Sequence, residues 1–166
     1  VRMHCETVAD FAVKLGKEIS AAGVKVDLEL LRCAALIHDF MRIVDFRDFK
    51  PEKFKYPYIA SDIAFWQAMR KKYKGRGHEK VAAEILISRG YNELANIINQ
   101  HRFLQILDGF TSLEAKLLYY ADKRTKHDCI VDLEERLKEG RQRNAPETID
   151  TADAKRIDYM LFALES

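Results

Sequence analysis

The chain has 166 residues, with 28 Lys or Arg against 26 Asp or Glu and a formal charge of +2. That length accommodates one domain with a sizeable core and no disulfide scaffold, and so small a charge gives no reason to expect a nucleic-acid partner. No apolar run approaches the roughly 20 residues of a membrane span and no signal peptide is evident, while three isolated cysteines (Cys5, Cys33, Cys129) argue against a thiolate zinc site and for a reducing, cytoplasmic setting.

Apolar residues recur at spacings of three and four through most of the chain, which predicts helices. Val8, Phe11, Ala12, Leu15 and Ile19 share one face of a first helix that stops at Gly23. Asp27 is placed to cap a second helix carrying Leu28, Leu31, Ala35 and His38. Residues 41–56, with Pro51, scattered aromatics and mixed charge, predict a long loop or short turns, and 41–77 as a whole reads as an insertion or lid. Phe49, Phe54, Tyr58 and Trp66 are expected to hold that excursion against the rest of the protein.

Helix returns over 62–73, 79–88 and 92–103, with Gly75, Gly77 and Gly90 as stops. The basic run at 70–80 reads either as a solvated helix end or as a rim that attracts phosphates, Arg76 included. Thr111 and Glu114 have the spacing of a capping box for the next helix. Residues 130–144 form a charged amphipathic segment, Pro146 marks a connector, and Thr151 is placed to cap a last helix reaching Leu164. No strand pattern or internal repeat appears. The expectation is an all-α fold, a single compact bundle of six to eight helices spanning 1–166.

The histidines are informative by position. His38 continues the stripe of Leu31 and Ala35, His78 precedes Ala82, Ile85 and Leu86, and His101 follows Ile97 and Ile98. Asp122 stands four residues after Leu118, and His4 four before Val8. Side chains at these spacings share a face, so potential metal ligands from separate helices point towards the bundle interior. A lone histidine there is ordinarily a satisfied core residue. Buried carboxylates such as Asp39 and Asp122 are harder to accommodate, because each costs several kcal/mol unless paired or bound to a metal. Clustered imidazoles and carboxylates point to a divalent cation. His127 and Asp128 form a second doublet with no apolar stripe leading into it, and are read as non-ligands. Cys5 and Cys33 are read as small buried apolar groups.

The ordered set of an early histidine, a His-Asp doublet, two further histidines and a late aspartate resembles the HD-domain metal-dependent phosphohydrolase superfamily, in its dinuclear branch. The matching residues are His4, His38 and Asp39, His78, His101 and Asp122, and "YYADKRTKHDCIVDLEERL" is similar to the family's segment after the last ligand. The resemblance implies one ion held by His4, His38, Asp39 and Asp122 and a second by His78 and His101, with Asp39 shared. It implies iron or manganese in preference to zinc or nickel, and an activated hydroxide that cleaves a phosphoester or phosphoanhydride of a small nucleotide: a dinucleoside polyphosphate, a cyclic dinucleotide or a nucleoside phosphate. Asp39, Arg42 and Lys123 are the expected catalytic residues, and Arg42, Lys123, Arg124 and Arg76 the expected substrate contacts. Arg42 stands where the family often has a lysine, and retains bidentate phosphate binding while being a poorer proton donor. The rival reading is a catalytically inactive HD domain that binds a nucleotide or nucleic acid.

Overall fold

The computed structural model describes residues 1–143 and 151–165. Within these residues lie nine α-helical segments: α1 (Arg2–Ala21), α2 (Leu28–Ile37), α3 (Ala60–Lys72), α4 (His78–Ile87), α5 (Asn92–Asn99), α6 (Gln105–Asp108), α7 (Leu113–Arg124), α8 (Leu133–Arg143) and α9 (Thr151–Phe162). The fold is a helical bundle, as expected, with α6 a single turn. Pro146 and the cap preceding α9 lie outside the described residues, so the connector expected there goes undescribed.

The bundle is built around α1, α2, α4, α5 and α7, whose Val8, Leu31, Val81, Ile98 and Leu118 form a fully buried apolar core. α1 and α2 approach closely because Gly16 has no side chain; a Cβ there would lie 2.8 Å from Leu28 Cδ2 and 3.2 Å from Leu31 Cδ2. A second core, with Ile106, Tyr119, Leu133, Ile157 and Leu161, joins α6 to α9. α7 serves both, Leu118 entering the first core and Tyr119 the second.

Asp27 caps α2 as predicted, its Oδ1 accepting from the Leu30 N–H at 2.9 Å. The cap of α7 is displaced by one residue from the expected Thr111. Ser112 Oγ accepts from the Ala115 N–H, while Glu114 accepts from the Asp27 N–H and ties α7 to the start of α2. Thr111 is engaged elsewhere, accepting at Oγ1 from Gln100 Nε2 at 2.6 Å. α5 ends at Asn99, short of the expected 103.

A two-residue antiparallel ribbon, which the sequence pattern did not predict, pairs Thr125 with Ile130 and Lys126 with Cys129. Strands this short carry no readable alternation, and their turn is formed by His127 at φ 58°. Cys5 is buried as expected, whereas Cys33 lies on the exposed side of α2.

The stretch between α2 and α3 contains two 3₁₀ turns, Arg42–Asp45 and Pro51–Lys53. Its aromatic rings gather on Phe54, with Phe46, Phe49 and Tyr58 and with Trp66 of α3 at centroid distances from 5.4 to 6.5 Å. Arg70 of α3 fastens the stretch by donating to the Ile43 carbonyl at 2.7 Å and covering the Phe49 ring. No helix among the described residues is long and apolar enough to cross a membrane.

Leu31 is fully buried at the crossing of α1 and α2, so Leu31→Ala is expected to cost about 2–5 kcal/mol in denaturant unfolding. Tyr159→Ala, at a side chain 77% exposed, should stay within about 0.5 kcal/mol.

Candidate metal centre

Helix ends bring the polar residues together. His4 lies in the first turn of α1, His38 follows the last residue of α2 with Asp39 beside it, and His78 opens α4. His101 stands just past α5, and Asp122 lies in the last turn of α7. The structure joins all six into one continuous cluster. Asp122 Oδ1 is 3.1 Å from His4 Nε2 and 3.7 Å from His38 Nε2. Asp39 Oδ1 is 2.9 Å from His78 Nε2 and 3.7 Å from His101 Nε2. The two halves meet where the His38 and His101 rings approach edge to face at 5.1 Å. Asp39 belongs to two groups with the spacing of metal ligands, one with His4 and His38 and one with His78 and His101.

The hydrogen bonds of the four rings define what each offers the centre. His38 Nδ1 donates to the Ala35 carbonyl at 2.7 Å, His101 Nδ1 to the Ile98 carbonyl at 2.5 Å, and His4 Nδ1 to the His127 carbonyl at 2.9 Å. A carbonyl only accepts, so each Nδ1 carries the proton and each neutral ring presents an Nε2 lone pair inward. His78 Nδ1 faces the Asp45 carboxylate at 2.6 Å and is a donor for the same reason. The Nε2 atoms of His78 and His101 then stand 3.0 Å apart, an unfavourable lone-pair contact unless a proton or cation lies between or beside them. His38 Nε2 is, among the described residues, a buried nitrogen without a hydrogen-bond partner, since 3.7 Å to Asp122 is an ion-pair distance. Such an atom, facing a carboxylate and another imidazole, fits a divalent metal. The donor set, nitrogen and oxygen without sulfur, suits first-row ions.

Electrostatics agree with that fit. Burial opposes charge on Asp39 and Asp122, yet both are held well below the usual carboxylate range: Asp39 by His101, His78 and His38, and Asp122 by Lys123, His38 and His4. Burial likewise opposes a proton on His38 and His78. The Asp122, Cys5 and Asp39 contacts raise His38 well above an ordinary imidazole, and Asp39 raises His78. For His101 burial prevails and its pKa falls.

The remaining predicted residues divide. Arg42 Nη1 lies 3.0 Å from His78 Nδ1, placing the guanidinium against that ring and at the cleft wall. Lys123 Nζ donates to Asp122 Oδ2 at 2.5 Å and to the His101 carbonyl at 3.2 Å, so its hydrogen bonds go to the cluster itself. Arg124 points away from the cluster, donating to the Val131 carbonyl, the Tyr120 hydroxyl and Glu165. Arg76 pairs with Glu84 and stacks over Tyr73, and neither arginine lines the cleft. The expectation of substrate contacts at Arg124 and Arg76 thus finds no support in their placement. His127 and Asp128 support the site through their backbone carbonyls, which accept from His4 and from the Thr7 hydroxyl.

Asp45 escaped the sequence reading. Its Oδ2 accepts from both the backbone N–H and Nδ1 of His78, fixing the start of α4 and the tautomer of a central ring. It sits in a 3₁₀ turn, where no helical stripe could mark it. Glu79 Oε2 adds a second acceptor 3.3 Å from the same nitrogen. The cluster opens onto a broad cleft of about 2420 Å³ that is also lined by Arg42, Phe46, Trp66 and Phe103.

A family model described as HD domain matches residues 1–160. Comparison with curated proteins and with solved structures returns no match.

Because the raised imidazoles must lose protons to bind a cation, the affinity for Mn²⁺ or Zn²⁺ should fall as pH drops from about 8 towards 6. Metal titration followed by thermal shift at several pH values reads this directly; a pH-independent shift would place the ion elsewhere. Asp45→Asn, which leaves His78 Nδ1 a weaker acceptor, should lower metal affinity by about 10–100-fold without unfolding the protein.

Proposed function

The chain belongs to the HD-domain family, a superfamily of metal-dependent phosphohydrolases, and from that premise we propose that it cleaves a phosphoester or phosphoanhydride of a small nucleotide with two divalent ions. The observation that carries this reading is the position of Asp39, whose carboxylate belongs to both ligand groups at once. In the proposed arrangement His4, His38, Asp39 and Asp122 hold one ion, while His78, His101 and the same Asp39 hold the other. Family analogy favours iron or manganese, and zinc or nickel also suit these donors. Bound there, the ions supply a hydroxide at neutral pH and neutralise charge developing on the phosphoryl group.

The chain's own residues do the rest. Depressed pKa values keep Asp39 and Asp122 ionised, so neither loses its ligand atom to a proton near neutral pH. Lys123 occupies Asp122 Oδ2 and so leaves Oδ1 facing His4 and His38, which makes it a positioning residue. Arg42, fixed by its backbone N–H donation to the Asp39 carbonyl at 2.9 Å, holds guanidinium donors beside His78, where they can clamp a phosphoryl oxygen. Phe46 and Trp66 line the same cleft.

The test is a panel of nucleoside phosphates, cyclic dinucleotides and dinucleoside polyphosphates with the metal-loaded protein. Turnover of at least one is expected, and Asp39→Ala should abolish it together with metal binding. Arg42→Ala should retain metal and lose about 10²–10³-fold in rate. Full metal occupancy with no turnover on any member of the panel would favour the binding-only alternative; turnover surviving Asp39→Ala would rule out this site.

A further inference from the structure

Half of the lysines and arginines of the basic run at 70–80, the obvious phosphate attractor in the sequence, are engaged elsewhere, Arg70 with Ile43 and Phe49, Lys72 with Tyr73, and Arg76 with Glu84 and Tyr73, and none of the six lines the cleft. The cations that line the cleft without a carboxylate partner come from another place. Arg47, Lys53 and Lys55 are exposed on its wall, and no ion pair occupies them among the described residues. Arg89, after α4, and Arg42, which lies against His78, are the others. Other basic groups on the wall are already neutralised: Arg2 by Glu6, Lys123 by Asp122, Arg136 by Glu139 and Arg141 by Asp158.

Three of these charges, Arg47, Lys53 and Lys55, border one packed set of rings. Phe54, between Lys53 and Lys55, is the hub of the aromatic cluster, in contact with Phe46, Phe49, Tyr58 and Trp66. Two lysines with no ion pair among the described residues therefore flank a ring packed on four others, and Tyr56 beside them is covered by Arg2 at 5.7 Å. The cleft volume of about 2420 Å³ also exceeds the roughly 300–1,000 Å³ that suffices for a drug-sized ligand. A substrate with a single phosphate at the metal centre would leave this wall unused.

We propose that Arg47, Lys53 and Lys55 form a subsite for the phosphates of the substrate that are not cleaved, so that the preferred ligand is a nucleotide with several phosphates instead of a monophosphate. This rests on the reading of the cluster as a phosphohydrolase centre and adds the substrate class. Preorganised cations on a wall shared with the centre bind the remote end of the molecule and orient its reacting phosphorus, without taking part in the chemistry.

The test separates binding from turnover. Trp66, the one tryptophan of the chain, lines the same cleft and reports occupancy by fluorescence. Metal-loaded protein is titrated with adenosine 5′-(β,γ-methylene)triphosphate and with adenosine monophosphate, with isothermal calorimetry as a second readout. The Arg47→Gln/Lys53→Gln/Lys55→Gln variant should lose about tenfold or more in affinity for the triphosphate analogue and little for the monophosphate. A control variant of equal charge change, Lys71→Gln/Lys74→Gln/Lys80→Gln, should bind both as the unaltered protein does. Equal losses in the two variants, or equal losses for the two ligands, would overturn the subsite in favour of a diffuse field. The affinity difference without hydrolysis of any nucleotide would support the subsite and remove only the reaction. Circular dichroism and thermal midpoints confirm that each variant is folded.

Discussion

Two carboxylates enclosed by helices, Asp39 and Asp122, set the terms for the polar groups around them. Ionised and buried, each needs positive charge or donors within a few ångströms. The bundle supplies four imidazoles and one ammonium, yet three of the rings have already committed their Nδ1 protons to backbone carbonyls and the fourth to Asp45. What remains facing the carboxylates is a set of lone pairs. The raised pKa of His38 is the consequence: in the absence of another cation, a proton at that ring best offsets the field. The same field that retains a proton there attracts a divalent ion, and the two compete for one place.

The backbone makes this possible by a repeated device. The last carbonyls of a helix have no intrahelical partner. At the end of α2 the His38 ring folds back onto the carbonyl three residues earlier, and at the end of α5 the His101 ring does the same. Each bond fixes a tautomer; the Ile98 carbonyl takes the ring in addition to the His101 backbone N–H at 3.3 Å. α5 stops at Asn99, which leaves His101 just beyond the helix end. Gln100 secures the stop, its side chain bonded to Asn96 and Thr111 and accepting from the Thr111 N–H.

The parts of the site legible in the sequence are those that obey helical periodicity. His38, His78, His101 and Asp122 were found because they continue apolar stripes that the core later buries, and Asp27 because capping follows a local rule. At Thr111 the spacing rule chose the wrong residue, because a tertiary hydrogen bond from Gln100 takes its hydroxyl and Ser112 caps α7 instead. Asp45 and the His127 carbonyl act from a 3₁₀ turn and a two-residue ribbon, where neither period applies. The basic run at 70–80 was conspicuous by composition, but composition does not reveal that Glu84, Tyr73 and Ile43 occupy its arginines.

That last difference separates two kinds of charge in the molecule. Lys123 is drawn inward by Asp122, and Arg42 lies against the His78 ring with its Nη1 3.3 Å from the Nε2 lone pair, so the positions of both follow from the cluster. Arg47, Lys53 and Lys55 have no ion pair among the described residues; what is packed there is the set of rings beside them in the chain. A charge placed by its partner contributes to the centre whatever enters the cleft. A charge placed by its neighbours' packing is available to whatever enters, and can change with the segment that carries it while the cluster remains intact. The bundle therefore fixes the cluster, and the stretch between α2 and α3 carries the cations of the proposed subsite.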